Sequence, residues 1–246
     1  MMARRKVAVV TGSATGIGRT AAWSFAEAGY DVVVNYSKSQ AEAEQAAEGV
    51  RSRGGDVRII RADVGLDAEV RRLVEEAVEA FGGIDALVNN AATTHFVPHD
   101  DLEALTEEVW DSILQLNVKG TFYACRAAMP RLKDRGGSIV NVASVAGIAG
   151  SGSSIPYAAS KGAVITLTRS LARAFAPEVR VNAVAPGPVQ TRWLADHQDM
   201  VEHAMALTPL NRPATPEDIA EAILYLADRA TLTTGQVLVV DGGRTM

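Results

Sequence analysis

Tyr157 and Lys161 stand four residues apart in Tyr157-Ala158-Ala159-Ser160-Lys161, so a helix through this segment brings both side chains out on one face. A phenol near its ordinary pKa of about 10 is a poor proton carrier at neutral pH, and a neighbouring ammonium favours the ionised form. The pair has the parts of a proton shuttle. Ser144, thirteen residues before Tyr157, closes a Val-rich run and could set a hydroxyl beside the phenol to hold the same substrate oxygen. A Tyr-x-x-x-Lys pair alone arises readily by chance, so its weight depends on its surroundings.

A second candidate is Thr11-Gly12-Ser13-Ala14-Thr15-Gly16-Ile17-Gly18, between a Val-rich run and a helical pattern. Glycine permits a left-handed turn and close approach of backbone to a diphosphate, which would rest on the free N–H groups of the helix start. A nucleoside-triphosphate loop would need Gly-Lys-Ser/Thr, whereas Gly18 is followed by Arg19 and Thr20; a plain tight turn is the other alternative. The second run ends in Asn35-Tyr36-Ser37-Lys38. No carboxylate is present to accept from both ribose hydroxyls of NAD, and Ser37 with Lys38 could take the extra phosphate of NADP. NADP(H) is favoured, with NAD(H) possible, unless Lys38 is simply a solvated loop charge. Asp63-Val64 would lie against an adenine edge and Asn89-Asn90-Ala91-Ala92 would form a floor near the ribose, although both also fit ordinary strand-end turns.

The elements that must carry these residues are legible as apolar runs at 7–10, 32–34, 57–60, 86–88, 139–142, 179–184 and 237–240. Runs without alternation indicate strands covered on both faces, as in a parallel sheet. Helical patterns separate them, at 19–28 before Gly29, 68–81 before Gly82 and Gly83, and 155–175. Another starts at Thr215-Pro216-Glu217-Asp218, which offers a capping hydroxyl, a proline for the first turn and two acids, and runs to about 228. The expectation is one doubly wound α/β (Rossmann) domain over 1–246, of about seven strands. Ligands of such sheets bind beyond the carboxyl ends of the strands, where the candidate residues fall.

The formal charge of −5 and the lack of a dense Lys/Arg block argue against nucleic acid or an anionic membrane as partner. The start lacks a signal-peptide pattern and no apolar run reaches the length of a membrane span, so a cytoplasmic protein is expected. The lone Cys125 suits a reducing compartment and core filling better than nucleophilic work. His95 and His99 are four apart beside Asp100 and Asp101, but Pro98 breaks the helix a metal site would need and no third ligand is evident, so no metal is expected. His197 and His203 fall in a segment at about 188–207 read as a lid over the substrate, exposed there and not catalytic. Substrate choice is expected to rest on 93–105 and 188–207.

Over nearly its whole length the chain resembles the short-chain dehydrogenase/reductase family, nearest the 3-oxoacyl-carrier-protein reductase and glucose-dehydrogenase-like group. The resemblance rests on the order of Thr11 to Gly18, Asp63, Asn89 to Ala92, Asn117 in Leu116-Asn117-Val118, Ser144, Tyr157, Lys161, Pro186-Gly187 and Val240-Asp241-Gly242-Gly243. It implies hydride exchange between a nicotinamide and a carbonyl or secondary alcohol, a small molecule of ketone, sugar or other alcohol type. Ser144 would hold the substrate oxygen, Tyr157 act as acid/base, Lys161 lower its pKa and bind the nicotinamide ribose, and Asn117 hold a water of a proton relay. Cofactor contacts would come from Gly12, Ser13, Thr15, Gly16, Ile17, Gly18, Asn35 to Lys38, Asp63, Val64, Asn90, Ala91, Ala92, Pro186, Gly187, Val189 and Thr191. Thr15 stands where many NADP-preferring relatives have Arg or Lys, and Ala92 where Gly is usual. Helices around 119–131 and 155–175 and the last strand would pair between subunits of a homotetramer. A dinucleotide-binding regulator without turnover is the alternative of another class.

Overall fold

In the computed structural model, which describes residues 4–192 and 206–246, each Val-rich run is a strand of one parallel sheet. The strands are β1 (Lys6–Val10), β2 (Tyr30–Tyr36), β3 (Val57–Arg61), β4 (Ala86–Asn89), β5 (Ser138–Val142), β6 (Arg180–Pro186) and β7 (Val237–Val240). Their order is β3-β2-β1-β4-β5-β6-β7. The chain moves outward from β1 to β3 and then returns to place β4 on the other side of β1. Connections from β1 and β4 therefore leave in opposite directions and open a crevice between them.

Helices cover both faces. On one, α1 (Gly16–Glu27), α2 (Gln40–Ser52) and α8 (Pro216–Leu224) pack Phe25, Val50, Ile219 and Ile223 against the sheet. On the other, α3 (Asp67–Phe81), α5 (Thr121–Lys133) and α7 (Ile155–Phe175) pack Leu73, Leu132 and Ala172. Burial on both sides explains why the inner strands read as unbroken apolar runs, while the edge strand β7 keeps its apolar run part-exposed. Two short helices, α4 (Glu107–Leu114) and α6 (Ala146–Ala149), complete the described set.

Local chemistry sets the ends. Gly82 closes α3 at φ 75°, its N–H bonding the Val78 carbonyl at 2.7 Å, a conformation that costs residues with a Cβ. A reciprocal capping box between Thr215 and Asp218 opens α8. Beyond Leu224 the pattern that suggested helix to about 228 continues as a wider π turn, Tyr225–Arg229. A second π turn, Gln115–Gly120, joins α4 to α5 and contains Asn117; here the Thr121 hydroxyl donates to the Asn117 carbonyl at 2.7 Å, satisfying a group that the widened turn frees. Most of the proposed lid, with His197 and His203, lies outside the described residues. No helix among the described residues is long and apolar enough to cross a membrane.

One contact fixes the helix that carries Tyr157 and Lys161. Gly147 of α6 lies so close to α7 that a Cβ on it would sit 2.5 Å from both the Gly162 amide nitrogen and the Lys161 carbonyl carbon. Backbone on both sides leaves no flexible side chain to yield. Gly147→Ala is expected to cost about 1–3 kcal/mol, the usual scale of overpacking, read as a lower urea midpoint at unchanged slope. An unchanged midpoint would show that α6 can move away freely.

Candidate active site

The turn between β1 and α1 is built for an anion. Gly12, at φ 61°, passes so near the fourth-strand loop that a Cβ would lie 2.9 Å from the Ala91 Cα, and a Cβ on Gly18 would meet the Asn90 amide nitrogen at 2.5 Å. α1 begins with no side-chain cap from Thr15 and no acid in its first turn. Its first N–H groups and the positive end of its dipole thus have no protein anion, and Gly12, Thr15, Gly16 and Ile17 line the cavity in front of them. Ser13 and Gly18 stand behind this lining. Ser13 is fully buried, donating to the Val10 carbonyl at 2.7 Å and accepting from the Asn35 amide at 3.0 Å, so it braces the turn.

Asn35 braces it too. Its Oδ1 accepts from the Gly12 amide at 3.0 Å, while its Nδ2 donates to the carbonyls of Ile60 and Ala62 at 3.3 and 3.0 Å. Asn35 lines the cavity together with Tyr36, Ser37 and Lys38, and among the described residues the last three keep side chains free to face a ligand at this end. Lys38 is exposed and makes no ion pair among the described residues. Asp63 and Val64 line the same end, with the Asp63 Oδ1 accepting from the Gly65 amide at 2.9 Å. Below them Asn90 donates to the carbonyls of Thr11 and Gly12, both at 3.0 Å, and joins Ala91 and Ala92 in the wall.

The cavity, of about 580 Å³, runs from there to the ends of β5 and β6, where Ser144, Tyr157, Lys161, Pro186, Gly187, Val189 and Thr191 line it. The size and mixed lining are those of a small-molecule cleft. The Ser144 hydroxyl lies close enough to the Tyr157 phenol to favour its ionised form, and the Ser144 oxygen accepts from the Ala146 amide at 3.1 Å. Lys161 is 3% exposed, its Nζ donating to the Val142 carbonyl at 2.8 Å and standing 5.6 Å from the centre of the Tyr157 ring. Loss of water dominates both titrations: burial pushes the phenol up to about 12 against the pull of Ser144, and pushes the ammonium down to about 8. Sequence reasoning expected the ammonium to lower the phenol, but in the structure burial is the larger influence and Ser144 is the group that opposes it.

Asn117 lies behind the cavity wall, not in it. Its Oδ1 accepts from the Thr93 amide at 2.8 Å, and its Nδ2 donates to the Thr93 carbonyl and the Ser160 hydroxyl, each at 3.0 Å. Ser160 passes the tie on to the Tyr157 carbonyl at 2.7 Å. Asn117 thus fastens the loop after β4 to the turn of α7 that bears Tyr157, and both its N–H groups are used in doing so. Cys125 is also structural: it is buried against the Asn89 amide at 3.2 Å, and burial pushes its thiol up to about 12, which suppresses thiolate chemistry. His95 shares a hydrogen bond with the Ser112 hydroxyl at 3.1 Å, and no cluster able to hold a metal occurs among the described residues.

Thr94, Phe96 and Arg192 also line the cavity, within the 93–105 and 188–207 segments expected to set substrate choice, while Ser151, Ser153 and Arg244 were missed from sequence. Thr94 and Ser153 join through their hydroxyls at 2.5 Å, closing the wall opposite β5. Only Arg244 had a usable signal, because it follows the last strand and ligands collect beyond strand ends.

A glycine turn with an uncapped helix start, at the crossover of a parallel sheet and continuous with a Ser-Tyr-Lys cluster, is the arrangement of a nicotinamide-dependent oxidoreductase. The chain belongs to the short-chain dehydrogenase/reductase family. Residues 12–245 match the family described as enoyl-(acyl carrier protein) reductase. Among curated proteins, it is 52% identical to one assigned as ketoacyl reductase 2 of the granaticin polyketide synthase in Streptomyces violaceoruber, over 96% of this chain and 95% of that one. It is 39% identical to the 3-oxoacyl-[acyl-carrier-protein] reductase FabG of Staphylococcus aureus over the whole of both. Among solved structures, one assigned to a short-chain dehydrogenase/reductase of Burkholderia xenovorans superposes with a TM-score of 0.93 at 38% identity, covering 99% of each chain.

Proposed function

We propose that the protein reduces ketones of the 3-oxoacyl type and prefers NADPH. The observation that carries this is the grouping of Ser144, Tyr157 and buried Lys161 in one cavity whose other end is the uncapped start of α1. The residues present fit a dinucleotide: diphosphate on the N–H groups of residues 15–18, ribose near Asn90 and Lys161, and adenosine near Asp63 and Lys38. When bound, the nicotinamide supplies hydride to a carbonyl carbon or removes it from an alcohol. Ser144 donates to the carbonyl oxygen and orients it. Tyr157 gives its proton as negative charge gathers on that oxygen. A phenol held at about 12 is protonated at neutral pH, which favours the direction that needs a donor, and an alkoxide is the stronger base of the two. Lys161 stabilises the phenolate left behind, and the bonds of Asn117 keep the Tyr157 turn in register.

The two relatives above named as ketoacyl and 3-oxoacyl reductases support the substrate class. The description of the matched family favours a second reading, reduction of an enoyl thioester. Loss of cofactor absorbance with acetoacetyl thioester and with crotonyl thioester separates the two. The oxo compound should be consumed, faster with NADPH than with NADH, and Tyr157→Phe should slow it about 10²–10⁴-fold, the scale of a lost general acid. Consumption of the crotonyl compound alone would overturn the ketone reading, and near-normal turnover in Tyr157→Phe would overturn the proton donor.

Cofactor affinity should also depend on pH. The folded protein depresses Lys161 to about 8, so the ammonium that faces an anionic ligand is complete below that pH and is lost as pH rises through it. In fluorescence titrations NADPH should bind tightest below pH 8 and weaken above it, and Lys161→Ala should bind weakly without that inflection. An inflection that survives in the variant would assign it to another group.

We also propose a cytoplasmic homotetramer. β7 is an edge strand with Leu238 and Val239 more than a third exposed, and Tyr225 beside them is 49% exposed; unpaired apolar edges of this kind invite a second copy. Light scattering should give four chains at micromolar concentration, and a stable monomer would end the proposal.

A further inference from the structure

We infer that Arg244 forms an oxyanion subsite for the substrate, so that the preferred ketone carries a carboxylate or phosphate away from its carbonyl; this rests on the ketone-reduction reading above. Among the described residues, five charged side chains line the cavity: Lys38, Asp63, Lys161, Arg192 and Arg244. Three of the cations have work on the cofactor or on the protein. Lys38 follows β2, at the adenosine end. Lys161 stands beside the Tyr157 ring. Arg192 follows Thr191, whose methyl group would lie 3.4 Å from a Cβ on Gly16 in the diphosphate turn, and its guanidinium is 3.9 Å from the Glu42 carboxylate.

Arg244 has no such assignment. It follows β7, the strand farthest from the adenosine end, next to the loop after β6: the Gly187 amide donates to the Val240 carbonyl at 3.0 Å, and a Cβ on Gly187 would lie 2.9 Å from that of Asp241. Its guanidinium makes no hydrogen bond or ion pair among the described residues. The nearest acid in sequence, Asp241, is already committed. One carboxylate oxygen accepts from the Gly243 amide at 2.8 Å, and the other from the Thr245 amide and hydroxyl at 2.9 and 2.7 Å. Burial pushes this carboxyl up, but those bonds outweigh it and hold the group below the usual carboxylate range. The charged Asp241 therefore shapes the turn that sets Arg244 at the cavity and does not neutralise it. A half-buried guanidinium in a cleft, with no counter-ion among the described residues, selects an oxyanion, which it can grip through two parallel N–H bonds.

The test compares ketones that differ only in charge: 3-oxobutanoate, 4-oxopentanoate and 5-oxohexanoate against their methyl esters, and dihydroxyacetone phosphate against dihydroxyacetone. At least one anion should have a lower KM than its neutral partner, and whether it is a carboxylate or the phosphate identifies the source. In Arg244→Gln the anion-to-neutral ratio of kcat/KM should fall by about ten- to a hundredfold, the scale of a lost charge-assisted hydrogen bond, through KM and not kcat. Arg244→Lys should recover part of the ratio by keeping the charge without the fork. Quenching of bound NADPH fluorescence by 5-hydroxyhexanoate, which cannot react with the reduced cofactor, provides a reading without turnover. Equal loss on charged and neutral ketones, or NADPH affinity that falls in step with the substitution, overturns the subsite. Failure to reduce any of these ketones while 5-hydroxyhexanoate binding still depends on Arg244 strikes the reaction and leaves the anion subsite standing.

Discussion

The divergence of the chain on either side of β1 is the constraint from which the rest follows. A parallel sheet whose order reverses between β1 and β4 cannot cover the ends of those two strands with its own connections. The exposed backbone polar groups there must find partners, and short polar side chains supply them. Thr11 accepts from the amides of Asn90 and Ala91 at 3.0 and 3.1 Å, while Asn35 and Asn90 take up the groups of the glycine turn. A crevice that would otherwise collapse or fill with side chains is held open by amides and hydroxyls that point sideways into its walls.

That rigid floor lets a second, costlier feature exist. Lys161 is buried at the price of part of its basicity, and a buried ammonium persists only where its protons are used. Val142 gives one acceptor, at the end of the strand that also delivers Ser144, so a single strand end positions both members of the cluster. The close glycine contact between α6 and α7 and the tie from Asn117 through Ser160 then leave the Tyr157 turn little room to drift. The hydroxyl is located by the end of β5, and the phenol and the charge by α7.

The sheet was legible because its inner strands are covered on both faces, which leaves uninterrupted Val runs, and because Gly82 and the Thr215 cap mark helix ends by chemistry that cannot easily be disguised. The cluster of Ser144, Tyr157 and Lys161 was legible from spacing and order. Less legible was the division between residues that touch the cavity and those that hold up its lining. Ser13 and Asn117 both sit in recognisable motifs, yet their side-chain polar groups bond to the protein, and no one-dimensional pattern separates a brace from a contact a few ångströms away. The balance of pKa effects was hidden for a related reason, since spacing reports the neighbouring charge but not the water both groups lose. Thr94 and Ser153 met only through folding, being 59 residues apart.

The chain contains a single cysteine, and the structure closes it off: Cys125 is fully buried and its thiol is held far from ionisation at ordinary pH. The protein is therefore a ready-made background for site-specific labelling. A cysteine introduced at an exposed position such as Leu66 or Leu232 would be the one thiol that a maleimide dye or spin label meets in the folded state, with no native residue to remove first.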